Sequence, residues 1–121
     1  MNRILTLFIL FICLSALKGN AQTTPTAKDS ISLPNVFTPN YDGVNDFLKP
    51  VTFFKQPYLF YRMEVFDRYG IKIFESDRLN YSWDGRTDAG EPCAQGYYFY
   101  VMRCKLTSED IELQGPVFLS R

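Results

Sequence analysis

The sequence contains no histidine, and this absence removes most of the familiar routes to catalysis. Without an imidazole the chain lacks the most common general base, the usual serine-protease triad and most zinc sites. No other pairing of a nucleophile with a base replaces it. We therefore predict that the chain is not an enzyme, that it holds no cofactor and that it has no small-molecule substrate.

Long apolar runs are also missing, except at the N-terminus. Residues 4–17 are almost continuously apolar, Arg3 precedes them, and small residues lead up to a cleavage site after Ala21. This run is short for a transmembrane helix, which needs roughly 20 residues. We expect residues 1–21 to be a cleaved signal peptide and the polar residues 22–32 to be a flexible lead-in.

A large excess of charge and a rich supply of cysteine are missing as well. Beyond residue 21 the sequence has 11 basic and 13 acidic residues, a net charge of −2. This balance argues against nucleic acid or anionic lipid as the main partner. Two cysteines remain there, Cys93 and Cys104. In an exported protein they can form a disulfide, unless one extended segment holds them too far apart.

What the sequence does contain is an all-β pattern. Aromatic and β-branched residues alternate with polar ones between recurring turn residues, most clearly on both sides of Tyr69 and Gly70. The most hydrophobic strand, residues 97–102, is apolar on both faces, which predicts a central position in its sheet. The predicted strands cover residues 31–37, 48–54, 58–67, 71–76, 97–102, 111–113 and 117–119. About seven short strands in roughly 100 residues indicate an immunoglobulin-like β-sandwich.

Residues 37–46 read FTPNYDGVND and form the most distinctive segment. Its proline fixes its own backbone, and Asp42-Gly43 is a turn pair, so the segment predicts a polar loop between two strands. The oxygen atoms of Asn40, Asp42 and Asp46 resemble half of a calcium loop, but the distal glutamate of an EF-hand is missing. The alternative, which fits the residue types better, is that these side chains bond the backbone and cap turns.

Three other features admit both a binding and a structural interpretation. Trp83, with Asp84 and Arg86, resembles a ligand platform, but a single tryptophan in a small sandwich is usually a core residue. The aromatic residues 97–100 suggest stacking on sugars or bases, for which at most one face of the strand is free. Strands also use aromatic residues for core packing, which is the interpretation we favour. The carboxylates of Asp84 and Asp88 invite a glycosidase interpretation that nothing else in the sequence supports.

Three ordered motifs resemble a known family. The strings FTPNYDGVNDFLKP, MEVFDRYGIKIFES and YSWDGRTDAGEPCAQGYYFYVMRC occur in this order, and together they resemble the gliding motility-associated C-terminal domain. That family is the type B C-terminal sorting domain of the type IX secretion system, and the resemblance extends over residues 33–121. The hairpin turn reads DRYG where the family usually has NRWG, and Tyr41 stands where a small residue, often glycine, is common.

The resemblance implies a non-catalytic recognition module for protein secretion. Its partner would be the type IX secretion translocon or an associated outer-membrane β-barrel protein, reached through the periplasm, and its destination the outer-membrane surface or the medium. Loops and an exposed edge strand would make the contact. The alternative is a small structural or adhesive subunit of a cell-surface or gliding-motility assembly. The candidate partner-binding residues, chosen by polarity and expected exposure, are Asn40, Asp42, Asn45, Asp46, Arg68, Asp84, Arg86 and Asp88.

Overall fold

The computed structural model describes residues 28–121 of the chain, and these contain seven β-strands. The strands are β1 (Ser30–Ser32), β2 (Val36–Phe37), β3 (Val51–Phe53), β4 (Tyr58–Phe66), β5 (Lys72–Ser76), β6 (Gly96–Leu106) and β7 (Asp110–Leu119). No helix that could cross a membrane occurs in this part of the chain. The predicted signal peptide, residues 1–21, and the first part of the predicted lead-in lie outside the described residues. The predicted all-β class is confirmed.

A five-stranded sheet with β6 at its centre forms the larger layer. Its strand order is β2-β7-β6-β4-β5, and every neighbouring pair is antiparallel except β2 and β7, which run parallel over two residues. The hairpin predicted around Gly70 joins β4 to β5. The central position predicted for residues 97–102 is confirmed, because they lie within β6.

The smaller layer is a sheet of two short strands. β1 and β3 pair antiparallel, with Ser30 opposite Phe53 and Ser32 opposite Val51. Between them Ile31 points into the core and is buried. The two layers enclose a common core, so the structure is a sandwich consistent with an immunoglobulin-like fold.

Several predicted strand boundaries differ from the structure, and three of the differences lie at prolines. The predicted strand over residues 48–54 begins only after Pro50, as β3. The predicted strand over residues 31–37 divides around Pro34, so that its first part joins the small sheet and its second part becomes β2. Conversely, the predicted strands 111–113 and 117–119 are one continuous strand, β7. Pro116 is tolerated inside β7 because a strand accepts proline where its N–H would face away from the neighbouring strand.

The core between the layers is built around Trp83. The indole is fully buried, and its ring centroid lies 5.1 Å from that of Phe37 and 5.1 Å from that of Tyr98. Its Nε1–H donates to the Arg86 carbonyl oxygen at 2.7 Å, so the one polar atom of the ring is satisfied. The interpretation of Trp83 as a core residue is confirmed. Farther along the sheet, the buried Tyr61 hydroxyl has no partner in the described chain, and burial raises its pKa.

Only one face of β6 is buried. Tyr98 and Met102 point into the core, whereas Tyr97 and Phe99 on the other face are 63% and 46% exposed. The core interpretation of the aromatic run therefore holds for Tyr98 and is wrong for Tyr97 and Phe99. The Tyr97 ring meets that of Phe118 at 5.0 Å with the ring planes 64° apart, so these two rings do not form a flat platform for stacking.

The disulfide that the sequence left open does not form in the structure, where Cys93 and Cys104 are free, buried thiols. Cys93 precedes β6, and Cys104 lies near the strand's other end. At about 3.3 Å per residue, β6 holds Gly96 about 26 Å from Cys104, whereas bonded cysteines need Cα atoms within about 7 Å. Burial raises the pKa of both thiols, which makes them poor nucleophiles.

We expect both thiols to be inert in the folded protein and reactive after unfolding. A thiol reagent at neutral pH should modify neither Cys93 nor Cys104 without denaturant, since each sulfur is buried and protonated. Both should react in guanidinium chloride. The count is made by mass spectrometry on protein purified without reductant and lacking residues 1–21, which removes Cys13. Two thiols that stay unreactive after unfolding would point to a disulfide and contradict the structure.

Candidate recognition site

Connecting segments gather at one end of the large sheet, which we name the loop end. They are the β2–β3 loop (residues 38–50), the β4–β5 turn (residues 67–71), residues 83–95 of the β5–β6 loop (residues 77–95) and the two residues after β7. They gather there because β2, β4 and β7 end where β5 and β6 begin. All the candidate partner-binding residues lie in the first three of these segments.

Asp46 organises the β2–β3 loop through its carboxylate. One oxygen, Oδ1, accepts hydrogen bonds from the backbone N–H groups of Asn40 at 3.1 Å and Tyr41 at 2.7 Å. The other, Oδ2, accepts from the N–H of Gly43 at 2.8 Å. Asp46 is itself buried, so its carboxylate supplies the acceptors that these N–H groups would otherwise seek in water.

Asn40, Asp42 and Asn45 complete the hydrogen bonding of the same loop. Asn40 Nδ2 donates to Asp42 Oδ2 at 3.0 Å, and the Asp42 N–H donates to Asn40 Oδ1 at 3.1 Å. Asp42 Oδ1 accepts from the Val44 N–H at 2.8 Å, and the Asn45 carbonyl oxygen accepts from the Thr38 N–H at 2.8 Å. These are the bonds of turn-capping residues. The described part of the chain holds no group of three acidic or cysteine side chains placed to bind a metal ion.

Tyr41 joins the two loops but adopts an unfavourable backbone conformation. Its φ is 62°, in the left-handed region where a side chain with a Cβ is disfavoured and glycine is at ease. Its ring is 71% exposed, and its hydroxyl oxygen accepts a hydrogen bond from Arg86 Nε at 3.3 Å. The contact links the β2–β3 loop to the β5–β6 loop. The tyrosine that stands here in place of a small residue therefore adds a connection between these two segments.

Gly85 lies where the β5–β6 loop, the β2–β3 loop and the end of β7 come close together. Its φ is 80°, and a Cβ at this position would lie 3.0 Å from Leu119 Cδ1 and 3.0 Å from Pro39 Cγ, so only glycine fits. Arg121 also binds the backbone here. Its guanidinium donates to the carbonyl oxygens of Cys93 at 3.0 Å and Gly85 at 3.3 Å. Arg121 was not among the predicted site residues, since one arginine after a strand carries no sequence signal of what it will bind.

The candidates in the β5–β6 loop have different roles. Asp84 is half-buried, and its Oδ1 accepts from the Arg86 N–H at 3.0 Å, which closes a local turn. Arg86 also donates from Nη1 to the Gly90 carbonyl oxygen at 3.1 Å. Asp88 has an exposed side chain, while its N–H donates to the Ile73 carbonyl oxygen at 3.0 Å and so covers the outer edge of β5. Arg86 is therefore held in place, and the Asp88 carboxylate is presented to solvent.

Arg68 lies apart from the other candidates, on the β4–β5 turn. The turn is held by Asp67, whose Oδ1 accepts from the Tyr69 N–H at 2.9 Å. The Arg68 guanidinium carbon lies 5.1 Å from the centroid of the neighbouring Tyr69 ring. Both residues line a groove that also contains Gln95 and Tyr97. The structure thus brings the candidates of the two loops together and leaves Arg68 on an adjacent surface.

Removal of the Asp46 carboxylate should unfold the β2–β3 loop at a measurable cost. We expect Asp46→Ala to lower the free energy of unfolding by about 2–4 kcal/mol, because three N–H groups lose a charged acceptor. Asp42→Ala is the matched control and should cost about 1 kcal/mol or less, since Asp42 is exposed. Urea denaturation of both variants gives the comparison. A larger loss for Asp42→Ala than for Asp46→Ala would contradict this assignment.

Glycine should be tolerated at Tyr41 better than at another exposed tyrosine. In Tyr41→Gly the relief of the positive φ offsets the lost contact with Arg86, so we expect the free energy of unfolding to change by less than about 0.5 kcal/mol. Tyr69 has a negative φ, so Tyr69→Gly is the control and should cost about 1 kcal/mol. Thermal and urea unfolding check the order, and the reverse order would show that Tyr41 is not strained.

Comparison with known families gives a match over most of the chain. The family described as CHU_C Type IX secretion signal domain matches residues 31–119. This range contains the β2–β3 and β5–β6 loops and all seven strands, apart from the first residue of β1. The comparison with curated proteins gives no match. The family match confirms the resemblance seen in the three ordered motifs. The family is one of secretion signals and not of catalysts, and this chain belongs to the CHU_C type IX secretion signal domain family.

Proposed function

We propose that this domain directs export of the polypeptide that carries it across the outer membrane, to the cell surface or the medium. The observation that carries the proposal is the family match over residues 31–119. The absence of histidine and the lack of a nucleophile–base pair in the sequence agree with a recognition role rather than a catalytic one. On this proposal the protein first passes through the periplasm, where the sandwich folds.

The loop end is the surface that we propose for recognition. Its loops are ordered by hydrogen bonds, from backbone N–H groups to the Asp46 carboxylate within the β2–β3 loop and from Arg121, after β7, to carbonyl oxygens of the β5–β6 loop. A surface that is ordered before binding loses less conformational entropy when it docks. The exposed side chains of Asn40, Asp42, Asn45 and Asp88 supply polar contacts there. Asp46 and Asp84 act by shaping the loops, because their carboxylates are occupied by backbone N–H groups.

The partner that we propose is the type IX secretion translocon or an outer-membrane β-barrel protein associated with it. The loop end offers charges of both signs, since its segments carry Arg68 and Arg86 as well as the exposed carboxylates of Asp42 and Asp88. Mixed charge favours specificity and correct orientation of docking over non-specific attraction. This agrees with the near-neutral charge of the chain, which does not favour binding to nucleic acid or anionic lipid.

A reporter fusion tests the proposal. A fluorescent protein is inserted after Ala21, ahead of the rest of the chain, and the fusion is expressed in a host with a type IX system. We expect the reporter to reach the surface or medium, and to stay in the periplasm when the translocon is deleted. Retention of the reporter in the wild-type host would refute the export role.

Charge reversal at the loop end adds a matched pair to the same assay. Asp88→Arg changes an exposed carboxylate at the loop end, and Asp77→Arg changes an exposed carboxylate just after β5, at the opposite end of the sheet. We expect Asp88→Arg to reduce export by roughly fivefold or more and Asp77→Arg to leave it unchanged, because only the first side chain faces the docking surface. Equal export of both variants would assign recognition to another surface.

A further inference from the structure

One edge of the large sheet is open along most of β7. β2 pairs only with Phe118 and Leu119. Residues 110–117 therefore have β6 on one side and, within the described chain, no strand on the other. The opposite edge, β5, is shorter and is covered at one point, where the Asp88 N–H donates to the Ile73 carbonyl oxygen. Open strand edges present unpaired N–H and C=O groups to which another chain can add a strand.

The backbone geometry shows which groups face the open side. The Phe118 N–H donates to the Asn35 carbonyl oxygen at 2.9 Å, on the side away from β6. The pairing of β6 with β7 has no register shift, so the N–H and C=O groups of successive residues alternate between the two sides. Glu112 and Gln114 therefore direct both groups outward. Pro116 lies in the same outward-facing series. Its lack of an N–H therefore costs no hydrogen bond between β7 and β6.

The side chains beside this edge define the chemistry of a strand that would fit it. On the inner face, Ile111 and Leu113 are half-buried and pack against the core. On the outer face, Asp110 and Glu112 are exposed carboxylates, and Glu112 also binds Arg103 of β6 at 3.2 Å. An added strand alternates its side chains between the same two faces. Its complement to this edge is apolar on the inner face and basic on the outer face.

We propose that the open edge of β7 accepts an extended strand from a protein partner in which apolar residues alternate with lysine or arginine. Main-chain hydrogen bonds to Glu112 and Gln114 supply affinity, and the alternating side chains supply specificity. Pro116 ends the ladder, because it has no N–H to offer. The identity of the partner rests on the proposed function, since the strand would belong to a component of the secretion machinery.

The principal test removes one outward N–H without touching the bonds to β6. In Gln114→Pro the proline ring also obstructs an incoming strand, whereas Gln114→Ala keeps the N–H and is the matched control. The probe is a synthetic peptide of about ten residues in which valine alternates with lysine. We expect Gln114→Pro to bind it about tenfold more weakly than the wild type, and Gln114→Ala to bind it within about twofold. Equal binding by the two variants would overturn the proposal.

Two measurements on the unmodified protein keep the test decisive if Gln114→Pro fails to fold. Hydrogen exchange followed by NMR should show that the lysine peptide slows exchange of the Glu112 and Gln114 amides. Unchanged exchange at both amides in the presence of saturating peptide would reject this edge. A peptide in which valine alternates with glutamate should bind at least about tenfold more weakly. Equal affinity for the two peptides would reject the charge assignment.

The reporter assay separates failure of this inference from failure of the proposed function. Export of the wild type with retention of Gln114→Pro supports both. Equal export of the two overturns the β7 edge alone, whereas retention of the wild type overturns the proposed function and leaves the edge to be decided by the peptide measurements. Sedimentation tests the competing occupant, because a dimer that Gln114→Pro abolishes would assign the edge to a second copy of the chain and overturn the proposal.

Discussion

Burial of Trp83 is the interaction on which the loop end depends. The indole packs between Phe37, where β2 ends, and Tyr98, which belongs to β6. Trp83 also makes hydrogen bonds to the backbone of both loops. Its carbonyl oxygen accepts from the Leu48 N–H at 2.8 Å, and its indole N–H donates to the Arg86 carbonyl oxygen. One residue therefore anchors the β2–β3 loop and the β5–β6 loop to the same core, and loss of its ring would leave a cavity and unpaired polar groups at both.

Polar groups supply the order that apolar burial cannot provide at the surface. The Asp46 carboxylate satisfies three backbone donors, and the Arg121 guanidinium satisfies two backbone acceptors. These two charged side chains act inward, on the loops that carry them or lie beside them. The neighbouring exposed side chains are consequently held on a fixed backbone, which is the arrangement that rigid docking requires.

Features with local determinants could be predicted from the sequence, and those with distant determinants could not. The β4–β5 hairpin follows from alternating apolar residues around Gly70, and the capping role of Asp42 follows from its place beside a glycine. The contacts of Arg121 lie 28 and 36 positions away, so no local pattern contains them. The exposure of Tyr97 and Phe99 depends on which face of the large sheet the small sheet covers. The division around Pro34 depends on distant partners, because residues before it pair with β3 and residues after it pair with β7.

The parallel pairing of β2 with β7 has a consequence for the order in which the domain folds. It joins Val36 to Phe118 and Phe37 to Leu119, so nearly the whole described chain must close into a loop before this contact forms. Closure of so long a loop carries a large entropic cost, and contacts of high sequence separation form slowly. We therefore expect the pairing of β2 with β7, at the loop end, to be among the last contacts to form. A partner that binds there would distinguish completed domains from chains that are still folding.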